Sequence, residues 1–299
     1  MKKALPAADS DALTTANMSG SHSAATGTNM KDETPARSDR HHSAVFTTEA
    51  VSFEVDGKTI LHPLDISFNA GEISGLIGHN GSGKSTLIKL LARQIQPTGG
   101  RILFDGIAAA SYDIRAFARA VAYLPQDTSS AGGMTVEELV ACGRYPWHGA
   151  LGRFTDLDRE KVETAMKLTH VDTLAGRIVE TLSGGERQRV WIAMLVAQDS
   201  RCLLLDEPTS ALDIAHQMEI LGLVRELCRT KDLSVILVLH DINIAAHFCD
   251  HLHALKHGHL IAKGASQSLM KEETLHMIYG ANMGVTAHPV HGTPLAYVI

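Results

Sequence analysis

The chain has 299 residues, of which 44% are hydrophobic and 20% charged, and carries a net charge of −6. That length leaves room for a large core, arranged as one domain with a lobe or as two small domains, and the negative balance without a Lys/Arg run argues against nucleic acid as a partner. Four scattered cysteines (Cys142, Cys202, Cys228, Cys249) without C-x-x-C spacing argue for a reducing compartment rather than a disulfide framework; no apolar run approaches the ~18 residues of a membrane span, and the N-terminus lacks a signal-peptide core.

Residues 1–43 are rich in Ala, Ser, Thr, Asp and Asn and read as a disordered tail in which His22, His41 and His42 are solvated. From about Val45 strand-like alternation begins, with strands expected over 51–55, 59–61 and 64–68 around a turn at Asp56-Gly57. A short apolar strand over 72–77 leads into a glycine-rich stretch, followed by helical spacing over 85–93 with apolar residues at 87, 88, 90 and 91. Further strands are expected over 101–104 and 120–124, the second ending in Pro125-Gln126. Residues of about 127–181 read as a helical lobe: Thr135-x-x-Glu138 is a capping box, and Asp158 opens a helix with Val162, Ala165, Met166 and Thr169 on one face. A helix over 189–195, buried-looking strands over 202–205 and 235–239 and a helix over 217–228 complete the pattern of a parallel sheet covered on both faces.

The glycine-rich stretch, Gly78-His79-Asn80-Gly81-Ser82-Gly83-Lys84-Ser85-Thr86, fits G-x-x-x-x-G-K-[ST]. Small residues let backbone N–H groups converge on phosphate oxygens; Lys84 can reach the β- and γ-phosphates, Ser85 can ligate Mg²⁺, and the following helix adds its dipole. Strand, glycine loop and helix stand in the order that mechanism needs, so the loop is read as binding a nucleoside triphosphate. The strand over 202–205 ends in Asp206-Glu207 and that over 235–239 in His240, both at carboxyl ends, where open α/β sheets place ligands. One carboxylate there suits Mg²⁺, its neighbour can polarise water, and the histidine can position that water or donate to a γ-phosphate.

Leu182-Ser183-Gly184-Gly185-Glu186 contains a second capping box, Ser183-x-x-Glu186. The box does not explain two glycines in a first turn, which cost roughly 1 kcal/mol each relative to Ala. They make sense where a phosphate approaches closely. Because the chain already has its own phosphate loop, that phosphate is expected to belong to a nucleotide held by a second copy.

In that order, the phosphate loop, Gln126, Leu182 to Gln188, the run Leu204-Leu205-Asp206-Glu207-Pro208-Thr209-Ser210-Ala211-Leu212-Asp213 and His240-Asp241 resemble an ATP-binding-cassette ATPase over about residues 45–280. The resemblance implies an α/β P-loop NTPase fold with an antiparallel β subdomain and a helical lobe. It divides the chain into a tail (1–43), an ATPase domain (44–280, lobe about 127–181) and a C-terminal extension (281–299). It implies ATP and Mg²⁺ as cofactors and a head-to-tail homodimer with two nucleotides sandwiched between copies. ATP would be bound by Gly78 to Thr86, with Ser183, Gly184, Gly185 and Glu186 closing on the partner's nucleotide. Lys84, Gln126, Glu207 as base and His240 as switch would be the catalytic set; Ser85, Gln126 and Asp206 would serve Mg²⁺, and Ser210 to Asp213 would couple the two sites. Family members stack adenine on an aromatic residue, but Val55 falls at that place; Phe53, the nearest aromatic and on the same strand face by alternation, is the candidate, with core packing the alternative.

The lobe segment Gly143-Arg144-Tyr145-Pro146-Trp147-His148-Gly149-Ala150-Leu151-Gly152-Arg153-Phe154 and the run Val196 to Arg201 are similar to the ATP-binding subunits of iron-chelate importers, most of all those for ferric hydroxamates. That implies an importer motor on the cytoplasmic face of the inner membrane, docked through this aromatic loop on an integral permease subunit and served indirectly by a periplasmic siderophore-binding protein. The alternatives are the same motor carrying haem, cobalamin or a catecholate siderophore, a soluble non-transport ABC ATPase, and a nucleotide-binding regulator without turnover. The alternating His251, His253, His257 and His259 lack a partner cluster for a metal site.

Overall fold

Six strands form the central sheet, in the order His259–Ala265, His251–Lys256, Ile73–Ile77, Ser234–Val238, Cys202–Leu205 and Val121–Leu124. The computed structural model describes residues 44–128, 131–149, 152–290 and 292–299; the expected tail with its three histidines, and Ala150 and Leu151 of the docking loop, lie outside them. All neighbours in the central sheet run parallel except His259–Ala265, which returns antiparallel on the edge. Parallel order forces both faces to be covered, and the buried strands obey it residue by residue. Leu203, Leu205, Val235 and Leu237 enter one apolar cluster with the helices Gly184–Ala197 and Ile214–Lys231. Cys202, Leu204, Ile236 and Val238 enter the other, with Leu87, Ile88 and Leu91 of the helix Lys84–Leu91 and with Phe46 and Phe104. The period-two alternation of side chains therefore builds two cores from one set of strands.

Phe46 and Phe104 come from an antiparallel sheet with the order Lys58–Leu64, Ala44–Val55, Gly99–Phe104 and Ile107–Ala108, to which Ser67–Asn69 is added on Ala44–Val55. The expected strand over 51–55 is thus the end of a twelve-residue strand, and the segment 64–68 is divided: Leu64 ends one strand and Ser67 starts another. The register of Ala44–Val55 shifts at Phe53 against one neighbour and between Glu49 and Ser52 against the other. Ala50 takes a left-handed φ of 47° within the shift between Glu49 and Ser52, where the extra residue of a bulge leaves the ladder.

The lobe is helical as expected, with Val136–Cys142 and Asp156–Leu168 packed on the Gly184–Ala197 helix and Tyr145–His148 against the helix Ile114–Ala120. Both predicted capping boxes form, at Thr135/Glu138 and Ser183/Glu186. The helix expected to open at Asp158 begins two residues earlier, because Thr155 caps it and Asp158 is the returning acid of a third box. Inside the lobe Arg144 donates from Nε to Asp158 Oδ1 (2.8 Å) and from Nη1 to the Ala197 carbonyl (2.8 Å), and its guanidinium lies over the Trp147 ring. Burial opposes ionisation of Asp158, but hydrogen bonds from Thr155 and the Arg144 charge overcome it and hold the carboxyl down at about 2. At the other end of the chain Met283–Ala287 and Pro294–Val298 form a hairpin. The Asn243 side chain holds it, donating to the Ala296 carbonyl (3.0 Å) and accepting from the Ala296 N–H (2.7 Å).

Candidate active site

Because Ile73–Ile77, Ser234–Val238, Cys202–Leu205 and Val121–Leu124 are consecutive in the sheet, their carboxyl ends deliver the phosphate loop, His240, Asp206-Glu207 and Gln126 side by side. Gln126 Nε2 donates to Glu207 Oε2 (2.7 Å), and His240 Nε2 lies 2.6 Å from Glu207 Oε1. Both carboxylate oxygens of Glu207 are therefore held by side chains from neighbouring strand tips. Glu207 also takes a left-handed φ of 52°, the kind of backbone strain that persists where surrounding contacts over-determine a functional residue.

In the loop, Gly78 has a φ of 133°, and a Cβ there would collide with the Leu255 carbonyl, so no other residue fits. Lys84 is 4% exposed, and its Nζ donates to the carbonyls of Gly78 and His79, both at 2.8 Å. Burial pushes the Lys84 ammonium below its ordinary pKa, while the Glu207 and Asp206 carboxylates push the other way. Ser85 Oγ donates to Asp206 Oδ1 at 2.9 Å. Burial raises the Asp206 pKa, and the Ser85 hydrogen bond opposes the rise. A hydroxyl and a carboxylate in contact, with the Gln126 amide at the next strand tip, form a hard oxygen donor set, and these residues fit Mg²⁺.

A cavity of about 660 Å³ opens over this set. Asn80, Gly81, Gly83, Lys84, Ser85 and Thr86 of the loop line it, with Gln126, Glu207 and His240. Gly78, His79 and Ser82 are not among the lining residues; His79 Nε2 lies 2.7 Å from the Tyr279 carbonyl, with the two rings edge to face. Phe53 does not line the cavity; it is half-buried and packs against the core cluster that includes Phe46 and Leu61, as the alternative reading of that residue has it. The register shift at Phe53 defeats the simple alternation that put it on the face of Val55. Four other lining residues, Lys58, Thr59, Ile60 and His257, are not among the expected site residues: 59–60 read only as strand, and His257 only as one of the alternating histidines. They come from distant segments, and only the turn signals beside them (Asp56-Gly57 and Gly258) mark the places.

Ser183, Gly184, Gly185 and Glu186 do not line this cavity. Ser183 Oγ accepts from the Glu186 N–H, and the Glu186 carboxylate accepts from the Ser183 N–H. A Cβ on Gly185 would collide with the His216 ring. His216 in turn is bound through its N–H and Nδ1 to Asp213, each at 2.9 Å, and Gln217 donates to the Thr209 and Leu212 carbonyls. Ser210 Oγ reaches the Glu207 carbonyl at 3.3 Å. Of the alternating histidines, His251 pairs with Glu72 (2.9 Å), His253 is buried, and His259 stacks on His62 at 3.9 Å. Among the described residues no group of three His, Cys, Asp or Glu side chains is placed to hold a metal. In the lobe loop Trp147 is tied down by its Nε1–H to the Gln198 carbonyl, whereas Tyr145 and Phe154 are 58% and 43% exposed.

A parallel sheet whose strand tips bring a phosphate loop, an Asp-Glu pair, a glutamine and a histidine to one cavity is a nucleotide-hydrolysing device. The ABC transporter family model matches residues 61–210, half of the chain. The chain is 41% identical over 252 residues to YusV of Bacillus subtilis (strain 168), whose name is probable siderophore transport system ATP-binding protein (84% of this chain, 92% of that one). It is 42% identical over 237 residues to the ferric enterobactin transport ATP-binding protein FepC of Escherichia coli (strain K12) (79% and 88%). The iron(3+)-hydroxamate import ATP-binding protein FhuC of Bacillus subtilis (strain 168) is 38% identical over 249 residues (83% and 93%). Among solved structures, an inward-facing metal-chelate type ABC transporter superposes with a TM-score of 0.75 at 25% identity, covering 86% of this chain and 97% of that one. The chain belongs to the ABC transporter ATPases, and it binds and hydrolyses ATP. The expected emphasis on hydroxamates is not borne out as a ranking, since YusV and FepC are more similar to the chain than FhuC is.

Proposed function

We propose that this chain is the ATP-hydrolysing subunit of an importer for ferric siderophores, working as a homodimer on the cytoplasmic face of the inner membrane. Its partners are an integral permease subunit and, indirectly, a periplasmic siderophore-binding protein. The observation that carries the cargo class is the agreement in name of the relatives at 41–42% identity, YusV and FepC, over about four fifths of the chain. Hydroxamates are the first cargo to test, on the strength of the lobe segment Gly143 to Phe154. The exposed rings of Tyr145 and Phe154 suit an apolar docking patch for the permease.

In hydrolysis Lys84 holds the β- and γ-phosphates, and Glu207 accepts the proton of the attacking water. The water oxygen bonds to the γ-phosphorus as the bond to the β–γ bridging oxygen breaks, and ADP leaves with that electron pair. Gln126 and His240, in contact with opposite oxygens of Glu207, fix the direction in which the base faces, and His240 is the group poised to sense the γ-phosphate. Mg²⁺ bound by Ser85, Asp206 and Gln126 would neutralise charge on the β- and γ-oxygens. Ser183, Gly184 and Gly185, opening a fourteen-residue helix, close on the nucleotide of the second copy. ATP then favours the closed dimer and ADP the open one, and that difference is what the permease receives.

The test is uptake of labelled ferric hydroxamate, and separately of a ferric catecholate, in cells lacking this protein and complemented with wild type or Lys84→Ala. Hydroxamate uptake rescued by wild type alone is the expected result. Undiminished hydroxamate uptake with lost catecholate uptake would move the cargo to the enterobactin-like class, and loss of neither would remove siderophores from the reading.

A further inference from the structure

The central sheet gives the cavity a direction. The loop strand Ile73–Ile77 has Ser234–Val238, Cys202–Leu205 and Val121–Leu124 on one side and His251–Lys256 with His259–Ala265 on the other. His240, Glu207 and Gln126 are all tips of the first group. A triphosphate with its γ-phosphate at Glu207 therefore extends its nucleoside to the opposite side of the loop. The lining there comes from Lys58, Thr59 and Ile60 and from His257, in the turn between the last two strands. Neither phosphate binding nor hydrolysis uses this histidine.

That turn is rigidly mounted. The Gly258 N–H donates to the Ser82 carbonyl of the phosphate loop (3.1 Å), and the His62 N–H donates to the Gly258 carbonyl (3.0 Å). Lys256 Nζ donates to the Met277 carbonyl (2.7 Å) on the outer side. His257 has a φ of 48°, a left-handed conformation uncommon outside glycine. The neighbouring rings are engaged elsewhere: His62 and His259 lie on each other with planes 9° apart, and Phe53 packs against the core. Val55 is aliphatic, 46% exposed and outside the lining. Among the described lining residues, His257 is the one flat ring at the nucleoside end.

We propose that His257 is the base-binding residue of this site: the adenine of ATP stacks on its imidazole, with Ile60 supplying apolar contact beside it. A ring carried on a turn whose backbone is bonded to the phosphate loop keeps base and phosphates in one frame, and a flat π-face accepts a purine without needing its hydrogen-bonding edge. The proposal rests on ATP binding alone and is independent of what the transporter carries.

The experiment measures binding of ATP, ADP and inorganic tripolyphosphate by the full chain, alongside steady-state ATP hydrolysis, for wild type, His257→Asn and His257→Tyr. Asparagine accepts the same left-handed backbone and removes the ring; tyrosine restores a ring. For His257→Asn the expected result is a Kd for ATP and ADP raised about tenfold with that for tripolyphosphate unchanged. KM should rise in step while kcat at saturation stays within about twofold, and His257→Tyr should recover wild-type affinity. Equal weakening of ATP and tripolyphosphate would mean that the turn merely braces the phosphate loop. Unchanged ATP affinity in His257→Asn would place the base elsewhere. Either outcome overturns the proposal.

Discussion

His253 makes the stability of this domain depend on pH in a way that one substitution should remove. It lies on His251–Lys256 in register with Leu76, one residue before the end of the phosphate-loop strand. It is 4% exposed, its ring is 4.8 Å from that of Phe68, and neither ring nitrogen has a hydrogen-bond partner among the described residues. Burial, with smaller contributions from the His251 and Lys263 charges, pushes its pKa from 6.5 down to about 4. The unfolded chain binds a proton near pH 6.5 that the native chain refuses until about pH 4. The stability tied to this group is therefore complete above about pH 6.5 and is lost progressively as pH falls from there towards 4. The shift from 6.5 to about 4 corresponds to about 3 kcal/mol. Urea unfolding of wild type and His253→Phe at pH 7.5 and 4.5 isolates the effect from the other histidines, because only the difference between the two proteins is read. Wild type should lose about 2–3 kcal/mol more than the variant between those pH values. Identical losses in the two proteins would refute the reasoning and mean that the native state protonates His253 without strain.

Glu207→Gln should lower kcat by about 10²- to 10⁴-fold while ATP binds with near wild-type Kd, since the amide cannot take the water's proton; normal turnover in that variant would remove Glu207 as base. Arg144→Met should destabilise the domain by about 3–5 kcal/mol by leaving Asp158 buried and unpaired. Arg101→Ala, at a pair whose side chains are 68% and 43% exposed, should leave the unfolding midpoint unchanged, and equal losses in the two variants would show that burial does not set the value of an ion pair here. The Asp158 carboxyl, held at about 2 against an ordinary 3.8, contributes stability that is complete above about pH 4 and lost as pH falls through about 2. Acid unfolding of Asp158→Asn that followed the wild-type curve throughout that window would contradict this.

The parts of the site that sequence made legible are those built by contiguous residues. A phosphate loop needs its glycines, lysine and serine in one run, and each strand tip announces itself as an apolar run that stops at Asp206, His240 or Gln126. The Ser183 box was readable because a cap and its acid are three residues apart. The base end was not, because Lys58 to Ile60 and His257 are about two hundred residues apart and meet only through the sheet order. The surroundings of Phe53 were not legible because alternation assumes an unbroken register, and Ala44–Val55 slips at Phe53 and around Ala50. The helix start at Asp156 was missed because an aspartate serves as the returning acid at Thr155, where the readable signature has glutamate or glutamine.

Glu207 is bonded to Ser210, and three residues further along the chain Asp213 is bonded to His216, whose ring closes on Gly185. In the proposed dimer the two ends of this segment serve different nucleotides, one held by the same copy and the other by its partner. In that dimer the segment would work as a rocker arm: a shift of the base at one end would tilt the signature glycines at the other, so that each copy would time its neighbour's turnover by its own. Dimers mixed from wild type and Glu207→Gln are then expected to hydrolyse ATP at well under half the wild-type rate, and a rate of one half would mean that the two sites fire alone.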